Sequence, residues 1–519
     1  MYIYHLHRMK NLCMALILSG LSGYLVSSCD NTLDVDSFHA ASESQQWNAL
    51  EDARAALMGV YGLARAALAE NNGHWLYGDL RMGDFTVTSR KDLQTVKDNR
   101  LNYPNDLLDG LSNWSRFYRV INAATIFLER APQIVDKDRS YSLQNLEYDK
   151  AQVRALRAFI YFYMVRIWGD VPLITQSYDN GSFPQFSRTD EATVLNYVKS
   201  ELSDILEILP ILYGTDNNLY YKEKNTVWKG VLFNKISALT LLAHISAWQG
   251  NYADVEAYAT AAIGQSSQFQ GAIFVPTVDL VKSNGFFSSA DTKYAGSRLL
   301  AFPFVDKEKE TTASGHLENL TLAYPIVHKS QPDIYITKDS LLSIFDEIGD
   351  ARFTIDDSTT YVSSYIHNMY VDRPIFSKIK VIQDGEAETN DYAVFGSAIV
   401  FSRLEELMLL KAEALGVENK PEEAIILYNQ VRALRNLPPA TYKKNFGNDP
   451  RKVLMAIFEE RRRELMGEGW RWFDKIRRER ILGEDKQMRK LIEEGGIYWP
   501  ISRKVLKENS QLVQNSYWK

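Results

Sequence analysis

Two segments of this 519-residue chain share a layout that restricts its fold more than any other feature. Residues 232–263 and 402–434 each contain an apolar helix, a short polar turn with an asparagine, and a second helix that begins with acidic residues. Ala243 and Ala412 each lie twelve positions before an apolar residue of the second helix. Such helix pairs bury their apolar faces on neighbouring pairs, as in tetratricopeptide repeats. The fold is therefore predicted to be all-α dominated, with degenerate helical repeats separated by long inserts.

Further helices are indicated where apolar residues recur at three- and four-residue steps. These patterns cover residues 47–68, 114–132, 148–172 and 191–210. Gly169 is the predicted end of the third helix, because glycine commonly follows the last helical turn.

Residues 265–400 have a different character and are predicted to form a variable, loop-rich insert. Gly, Ser, Asp and Pro are frequent there, and the apolar runs are short. The fragments SRLLAFPFV and PIFSKIKVI predict short strands, whereas DSLLSIFDEI predicts a helix. A loop-rich segment of this length is usually functional or disordered, and the aromatic content argues against disorder.

The first 28 residues have the parts of a lipoprotein signal peptide. Arg8 and Lys10 precede an apolar run that is too short to span a membrane. Cys29 follows Val-Ser-Ser, and this arrangement resembles the lipoprotein box, in which the cysteine receives lipid and becomes the new N-terminus. The alternative is an ordinary signal peptide followed by a chance cysteine.

Cleavage before Cys29 would divide the chain into a signal peptide (1–28), a lipidated tether (29–45) and a single domain (46–519). Multiple acyl chains anchor a protein durably, whereas one chain holds it only marginally. The signal contains two bases and no acid, so its removal changes the net charge from −6 to −8. This balance argues against nucleic acid as a partner. With one cysteine left, no intramolecular disulfide is possible.

The sequence contains no recognisable catalytic or metal-binding motif. Its eight histidines are scattered, and no H-E-x-x-H, G-x-S-x-G or Walker pattern occurs. The acidic stretches are too irregular for a calcium loop. We therefore predict no catalytic residues, no metal site and no cofactor.

The densest charge cluster is EERRRELMGEGWRWFDKIRRER, residues 459–480. It predicts a solvated helix, in which Glu459 pairs with Arg463, followed by a glycine-containing turn that packs Trp470 and Trp472. Phosphate binding by the arginines is the alternative interpretation.

Two groups of residues are candidates for ligand binding. The first lies in NNGHWLYGDLRMGDFT, which is interpreted as part of a long loop at residues 71–89. Aromatic rings cover the apolar face of a sugar, and polar groups pair with its hydroxyls. Alternatively, these rings pin the loop to the body of the protein. The candidates are Trp75, Tyr77, Arg81 and Asp84 in this loop, and Phe286, Phe287, Tyr294 and Tyr324 in the insert.

Four stretches resemble the SusD/RagB-like family of outer-membrane, nutrient-binding lipoproteins of Bacteroidetes. The helix that ends in GDVPLI, the late helix RLEELMLLKAEAL, the signature ERRRELMGEGWRWFDKIRR and the ending YWPISRKVLKENSQLVQNSYW carry the resemblance. The sequence departs from the family at Lys475, where a more apolar residue is common, and only local effects are expected.

The resemblance implies a single α-helical domain with about four tetratricopeptide-like helix pairs and no catalytic activity. It also implies a lipid-anchored position on the cell-surface side of the outer membrane, as a lid over a SusC-like TonB-dependent transporter. The expected function is capture of oligosaccharides for import. A peptide-capturing lipoprotein of the same type and an anchored glycan hydrolase are the alternatives. No ligand-binding residue transfers by motif, because the binding loops differ among members of the family.

Overall fold

The computed structural model describes residues 46–178, 184–215, 228–267, 273–305, 310, 312, 314–355, 361–385 and 392–519. The predicted signal peptide, the lipid-attachment residue Cys29 and the tether lie outside the described residues. Their assignments therefore stay predictions.

Ten helices of twelve or more residues occur in the described part of the chain. They are α1 (Leu50–Ala69), α2 (Ser115–Arg130), α3 (Leu143–Trp168), α4 (Glu191–Ile205), α5 (Lys235–Gln249), α6 (Tyr252–Ser266), α7 (Leu404–Val417), α8 (Pro421–Leu434), α9 (Pro450–Glu464) and α10 (Arg471–Leu482). Shorter helices include Lys91–Lys97, Asp106–Ser112, Ile134–Lys137, Thr277–Leu280, Leu317–Thr321, Lys338–Ile344, Tyr442–Phe446, Lys486–Glu493 and Arg503–Glu508.

The first eight long helices pack as four consecutive pairs, α1 with α2, α3 with α4, α5 with α6, and α7 with α8. Contacts of α2 with α3, α4 with α5, and α6 with α7 join the pairs into an array. In the α5–α6 turn, Asn251 caps α6 by accepting a hydrogen bond from the Asp254 backbone N–H. Ala243 and Ala412 are fully buried in the apolar clusters of their pairs. The predicted degenerate repeat fold is confirmed.

Helix α3 lies in the middle of the core, and every residue from Ala155 to Trp168 is buried. A helix that is apolar all round belongs in a core or in a membrane. The arginines of α3 contact other helices of the protein, so α3 is a core helix. Arg157 pairs with Glu201 of α4 at 2.9 Å, and the Arg166 guanidinium lies 4.2 Å from the centroid of the Phe473 ring of α10. No described helix is both long enough and apolar enough to cross a membrane.

The strands are short and form two-stranded antiparallel sheets. They are β1 (Thr86–Val87), β2 (Arg298–Phe302), β3 (Ile334–Tyr335), β4 (Phe353–Ile355), β5 (Tyr361–Ser363), β6 (Ile366–His367), β7 (Ile375–Phe376), β8 (Ile382–Asp384), β9 (Val394–Phe395) and β10 (Ile399–Arg403). The pairs are β1–β3, β2–β10, β4–β5, β6–β7 and β8–β9. In the β2–β10 sheet, Phe302 lies opposite Ile399, which joins the first third of the insert to its end. The predicted strands in SRLLAFPFV and PIFSKIKVI and the predicted helix in DSLLSIFDEI are confirmed as β2, β7 and Lys338–Ile344.

Helix α9 is not solvated, and this part of the sequence prediction is wrong. Glu460, Arg461 and Glu464 are fully buried. Arg461 pairs with Glu406 of α7 and Asp474 of α10, whereas the two glutamates face the insert. Arg352 of the insert donates to Glu460 Oε1 at 2.7 Å and to Glu464 Oε2 at 3.1 Å. Arg403 and Arg435 also bond to the Glu464 carboxylate. A buried charge network therefore joins the insert to the repeats. Trp470 and Trp472 are buried after the helix, as predicted.

Candidate functional site

The first predicted binding segment is buried instead of forming an exposed loop. Residues 70–80 continue α1 as a series of tight helical turns, and residues 81–89 contain only the short strand β1. Trp75 is 3% exposed, Tyr77 is 1% exposed and Arg81 is fully buried. The prediction that these three side chains are available to a ligand is wrong.

The backbone explains why this segment turns inward. Asn71 and Asn72 both adopt a left-handed conformation, with φ of 59° and 54°, and so redirect the chain after α1. Gly78 then packs against the backbone of Gly469, where a Cβ on Gly78 would lie 1.9 Å from the Gly469 carbonyl oxygen. Glycine here permits close backbone approach, not a flexible loop.

The polar atoms of Tyr77 and Arg81 are occupied within the protein. The Tyr77 hydroxyl donates to the Leu111 carbonyl and accepts from Arg116 at 2.7 Å. The Arg81 guanidinium donates to the backbone carbonyls of residues 496 and 497 and stacks 4.2 Å from the Trp472 ring centroid. These two residues hold the segment in the core. This agrees with the alternative interpretation of the sequence, in which the side chains attach the segment to the body of the protein.

Asp84 is also committed to an internal contact. It forms ion pairs with Arg462 at 2.6 Å and Arg471 at 3.0 Å. Burial opposes ionisation of its carboxyl group, but the two guanidinium groups outweigh burial and hold the pKa of Asp84 below its ordinary value. It joins the segment to α9 and α10, and its predicted role as a hydrogen-bonding partner of a sugar is wrong.

Three of the four candidates in the insert are buried as well. Phe286 and Phe287 pack edge to face, 5.2 Å between ring centroids, in the main apolar core. Tyr294 is 2% exposed, and its hydroxyl donates to Asp279 at 2.6 Å. Their predicted contact with ligand is wrong, because the insert supplies part of the core instead of lying outside it. Tyr324 differs from them, since it is 64% exposed.

Tyr324 lines an open cleft of about 370 Å³ between two loops of the insert. One loop follows the helix Leu317–Thr321 and leads to β3. The other is the hairpin loop between β6 and β7. The lining residues are Ala323, Tyr324, Ser330, Gln331, Pro332, Asn368, Val371, Asp372, Arg373 and Ile375.

Both loops are held in place by local bonds. In the first loop, the Tyr324 N–H donates to the Lys329 carbonyl at 2.7 Å, and the Lys329 ammonium bonds to Asp333 at 3.1 Å. In the hairpin, Asn368 adopts a left-handed conformation, with φ of 60°, which reverses the chain after β6. Arg373 donates to Gln331 at 2.7 Å and so connects the loops.

The cleft presents the kind of surface that sugars require. Tyr324 is 64% exposed in the cleft, so its ring is accessible for stacking. Tyr370, which precedes the lining residue Val371 on the hairpin loop, is 73% exposed. Asn368, Asp372 and Arg373 are exposed polar residues on the hairpin loop. Beneath them, Ala323 and Ile375 belong to a small apolar cluster that supports the floor. Rings with nearby donors and acceptors are suited to an oligosaccharide.

Sequence reasoning found Tyr324 but missed the hairpin residues. The available signal was IHNMYVDRPIF, where Asn368, Asp372 and Pro374 lie between Ile366 and the Ile375–Phe376 pair, the apolar residues of β6 and β7. Such a pattern is typical of a hairpin with a longer loop. The loop alone does not reveal that it lies beside Tyr324.

A larger groove of about 770 Å³ lies where α4, α5, α6, α7 and α10 meet. Its polar groups bond to one another: Trp248 Nε1 donates to Glu191 at 2.7 Å, and the Arg480 guanidinium covers the Trp248 ring at 4.5 Å. This leaves few polar groups for a ligand. Within the described ranges, no cluster of His, Cys, Asp or Glu is suited to holding a metal ion.

Two protein-family models match the chain. Residues 362–490, which include the hairpin, match a model described as "SusD family". Residues 44–228 match a model described as "Starch-binding associating with outer membrane".

Known proteins match over nearly the whole chain. A SusD superfamily protein of Bacteroides thetaiotaomicron, known from a crystal structure, is 54% identical with a TM-score of 0.85, covering 92% of this chain and 100% of the other. SusD-like protein P38 of Formosa agariphila is 25% identical over 98% of this chain and 99% of its own. A solved structure described as a laminarin-binding SusD-like protein shares the fold, with 21% identity and a TM-score of 0.66 over 90% of this chain and 98% of its own.

Proposed function

The chain belongs to the SusD superfamily, and from this premise we propose that it is a surface lipoprotein that captures oligosaccharides or polysaccharide fragments in the Tyr324 cleft. It then delivers them to a SusC-like TonB-dependent transporter in the outer membrane. The observation that carries the proposal is the exposed Tyr324 ring beside the exposed polar side chains of Asn368, Asp372 and Arg373 in one cleft.

Similar proteins support the saccharide part of this proposal. One matching family model describes starch binding, and one protein of the same fold is described as binding laminarin. The sugar units of both ligands present an apolar ring face and hydroxyl groups, which the cleft residues suit.

The proposed anchor is lipid attached to Cys29, as the sequence predicts. Acyl chains on Cys29 would hold the body at the outer membrane on a short polar tether, close to a transporter. Mass measurement of the N-terminal peptide from cells, compared with the Cys29→Ser variant, tests the attachment. Co-purification of a TonB-dependent transporter from detergent extracts tests the partner.

Isothermal titration against a panel of plant, host and microbial glycans tests the ligand class. Binding that saturates at one site, with no release of reducing ends on long incubation, is the expected result. Peptides found by mass spectrometry in the purified protein, without glycan binding, would favour the peptide-capturing alternative. Release of reducing ends would favour an anchored hydrolase.

A further inference from the structure

We propose that the Tyr324 cleft selects acidic saccharides, with Arg373 binding a carboxylate or sulfate group on the sugar. This inference rests on the proposed function and names the substrate class for the same site. It is carried by the position and bonding of Arg373.

Arg373 lies on the β6–β7 hairpin loop at the edge of the cleft, and it is exposed. Its Nη1 donates to the amide oxygen of Gln331 at 2.7 Å. Among the described residues, Arg373 has no carboxylate within ion-pair distance, and its Nε and Nη2 have no acceptor. The Gln331 amide fixes the guanidinium without neutralising its charge.

Other arginines of the insert and its surroundings have a different environment. Arg352 and Arg432 are each bound to carboxylates, Arg352 to Asp350 at 2.7 Å and Arg432 to Glu347 at 2.6 Å. Arg90, near β1, pairs with Asp92 at 2.6 Å. Structural arginines without an acid partner, such as Arg81 and Arg298, are buried and donate to neutral oxygens, mostly backbone carbonyls. Arg373 retains its charge at a ligand cleft.

A guanidinium group with two free donor positions matches the geometry of carboxylate and sulfate oxygens. A neutral sugar hydroxyl offers one acceptor oxygen in place of the two of a carboxylate, and it gains no charge interaction. Asp372 is the neighbouring exposed residue of the same cleft, and its carboxylate accepts hydrogen bonds from sugar hydroxyls. It also repels a second anionic group. The pair therefore favours a single acidic group flanked by hydroxyls over a densely charged polyanion.

The test compares matched ligands on the intact protein. Uronate-containing oligosaccharides are titrated beside their carboxyl-reduced forms, and sulfated oligosaccharides beside their desulfated forms. The variants are Arg373→Gln and Arg373→Lys, with Arg139→Gln, an exposed arginine outside the cleft, as the matched control.

We expect at least one acidic form to bind about tenfold or more tightly than its neutral partner, because hydrogen bonds to charged groups are stronger than neutral ones. This preference weakens with added salt. It disappears in Arg373→Gln, is reduced in Arg373→Lys and is unchanged in Arg139→Gln. Which of the two acidic series shows the preference identifies the anionic group.

Equal binding of acidic and neutral forms by the unmodified protein would overturn the inference while leaving glycan capture intact. Retention of the acidic preference in Arg373→Gln would overturn the role of Arg373. Failure of every saccharide to bind would contradict the proposed function itself.

Discussion

Arg373 Nη1 and Gln331 Oε1 lie 2.7 Å apart, and their hydrogen bond joins the two loops that form the candidate cleft. The bond is exposed at the surface and involves a neutral acceptor. It therefore positions the guanidinium without cancelling its charge.

Replacing Gln331 by Glu is predicted to remove the preference for acidic saccharides. A carboxylate at this position would pair with Arg373 and compete with the ligand anion. Stability should change by no more than about 0.5 kcal/mol, because the site is on the surface. Titration with matched acidic and neutral oligosaccharides checks the prediction, and Gln331→Asn serves as the uncharged control. An unchanged acidic preference in Gln331→Glu would be inconsistent with it.

Trp75 and Tyr77 are predicted to act in folding. Trp75→Ala should lower the free energy of unfolding by about 3–5 kcal/mol, as for other large buried side chains. Tyr77→Phe should cost about 1–3 kcal/mol, because Arg116 and the Leu111 carbonyl lose a partner. Urea unfolding measures both effects. Glycan affinity of the folded variants should equal that of the unmodified protein. A loss of glycan binding without a loss of stability would instead support a ligand-binding role for these residues.

Glu464 is predicted to be the most sensitive acid of the buried network. It bonds to Arg352, Arg403 and Arg435, so Glu464→Gln leaves three buried guanidinium groups with less negative charge. Removing one partner from a buried ion pair typically costs about 3–5 kcal/mol. Thermal unfolding measures the change. The control is Glu459→Gln, since Glu459 is partly exposed and, among the described residues, forms its ion pair within its own helix, with Arg462. Similar losses in both variants would contradict the prediction.

Glu318 is predicted to make stability depend on pH. Desolvation by burial raises the pKa of its carboxyl group from 4.5 to about 7, against the opposing hydrogen bonds from Ser397 and the Val381 N–H. Between these two values the folded state binds more protons than the unfolded state. The contribution of Glu318 to stability is therefore fully present below pH 4.5 and is lost as pH rises to about 7.

The variant Glu318→Gln cannot ionise and should escape this loss. Its stability relative to the unmodified protein should rise by about 1.4 kcal/mol per pH unit between pH 4.5 and 7, and then level off. Urea unfolding at several pH values measures the difference. The comparison isolates Glu318 from Asp79, whose pKa burial also raises to about 7. A stability difference that does not vary with pH would contradict the prediction.

The helical repeats could be predicted because they depend on local patterns. Apolar spacing located α3, and Gly169 ends it with a φ of 72°, which glycine adopts without strain. The α5–α6 and α7–α8 pairs were visible for the same reason. The apolar pattern of each helix pair lies within one continuous segment of sequence, and the packing of the pair follows from that pattern.

The binding site could not be predicted in the same way, because it depends on contacts between distant segments. Residues 71–89 were interpreted as a loop, but Gly78 in this segment packs closely against Gly469. The many charged residues of α9 indicated a solvent-exposed helix, but Glu460 and Glu464 of α9 are buried against Arg352, which lies in the distant insert. Tyr324 and Arg373 lie on different loops, and only the fold places both at one cleft.

The most direct test of glycan capture is titration of the protein and its Tyr324→Ala/Tyr370→Ala variant with the tightest ligand from the glycan panel. Tyr103→Ala is the matched control, since Tyr103 is 53% exposed and lies on neither loop of the cleft. Stacking on each aromatic ring is typically worth about 0.5–1.5 kcal/mol, so the double variant should bind at least about fivefold more weakly, with the same melting temperature and an unchanged control. Full affinity in the double variant would contradict the assignment of the cleft as the glycan site.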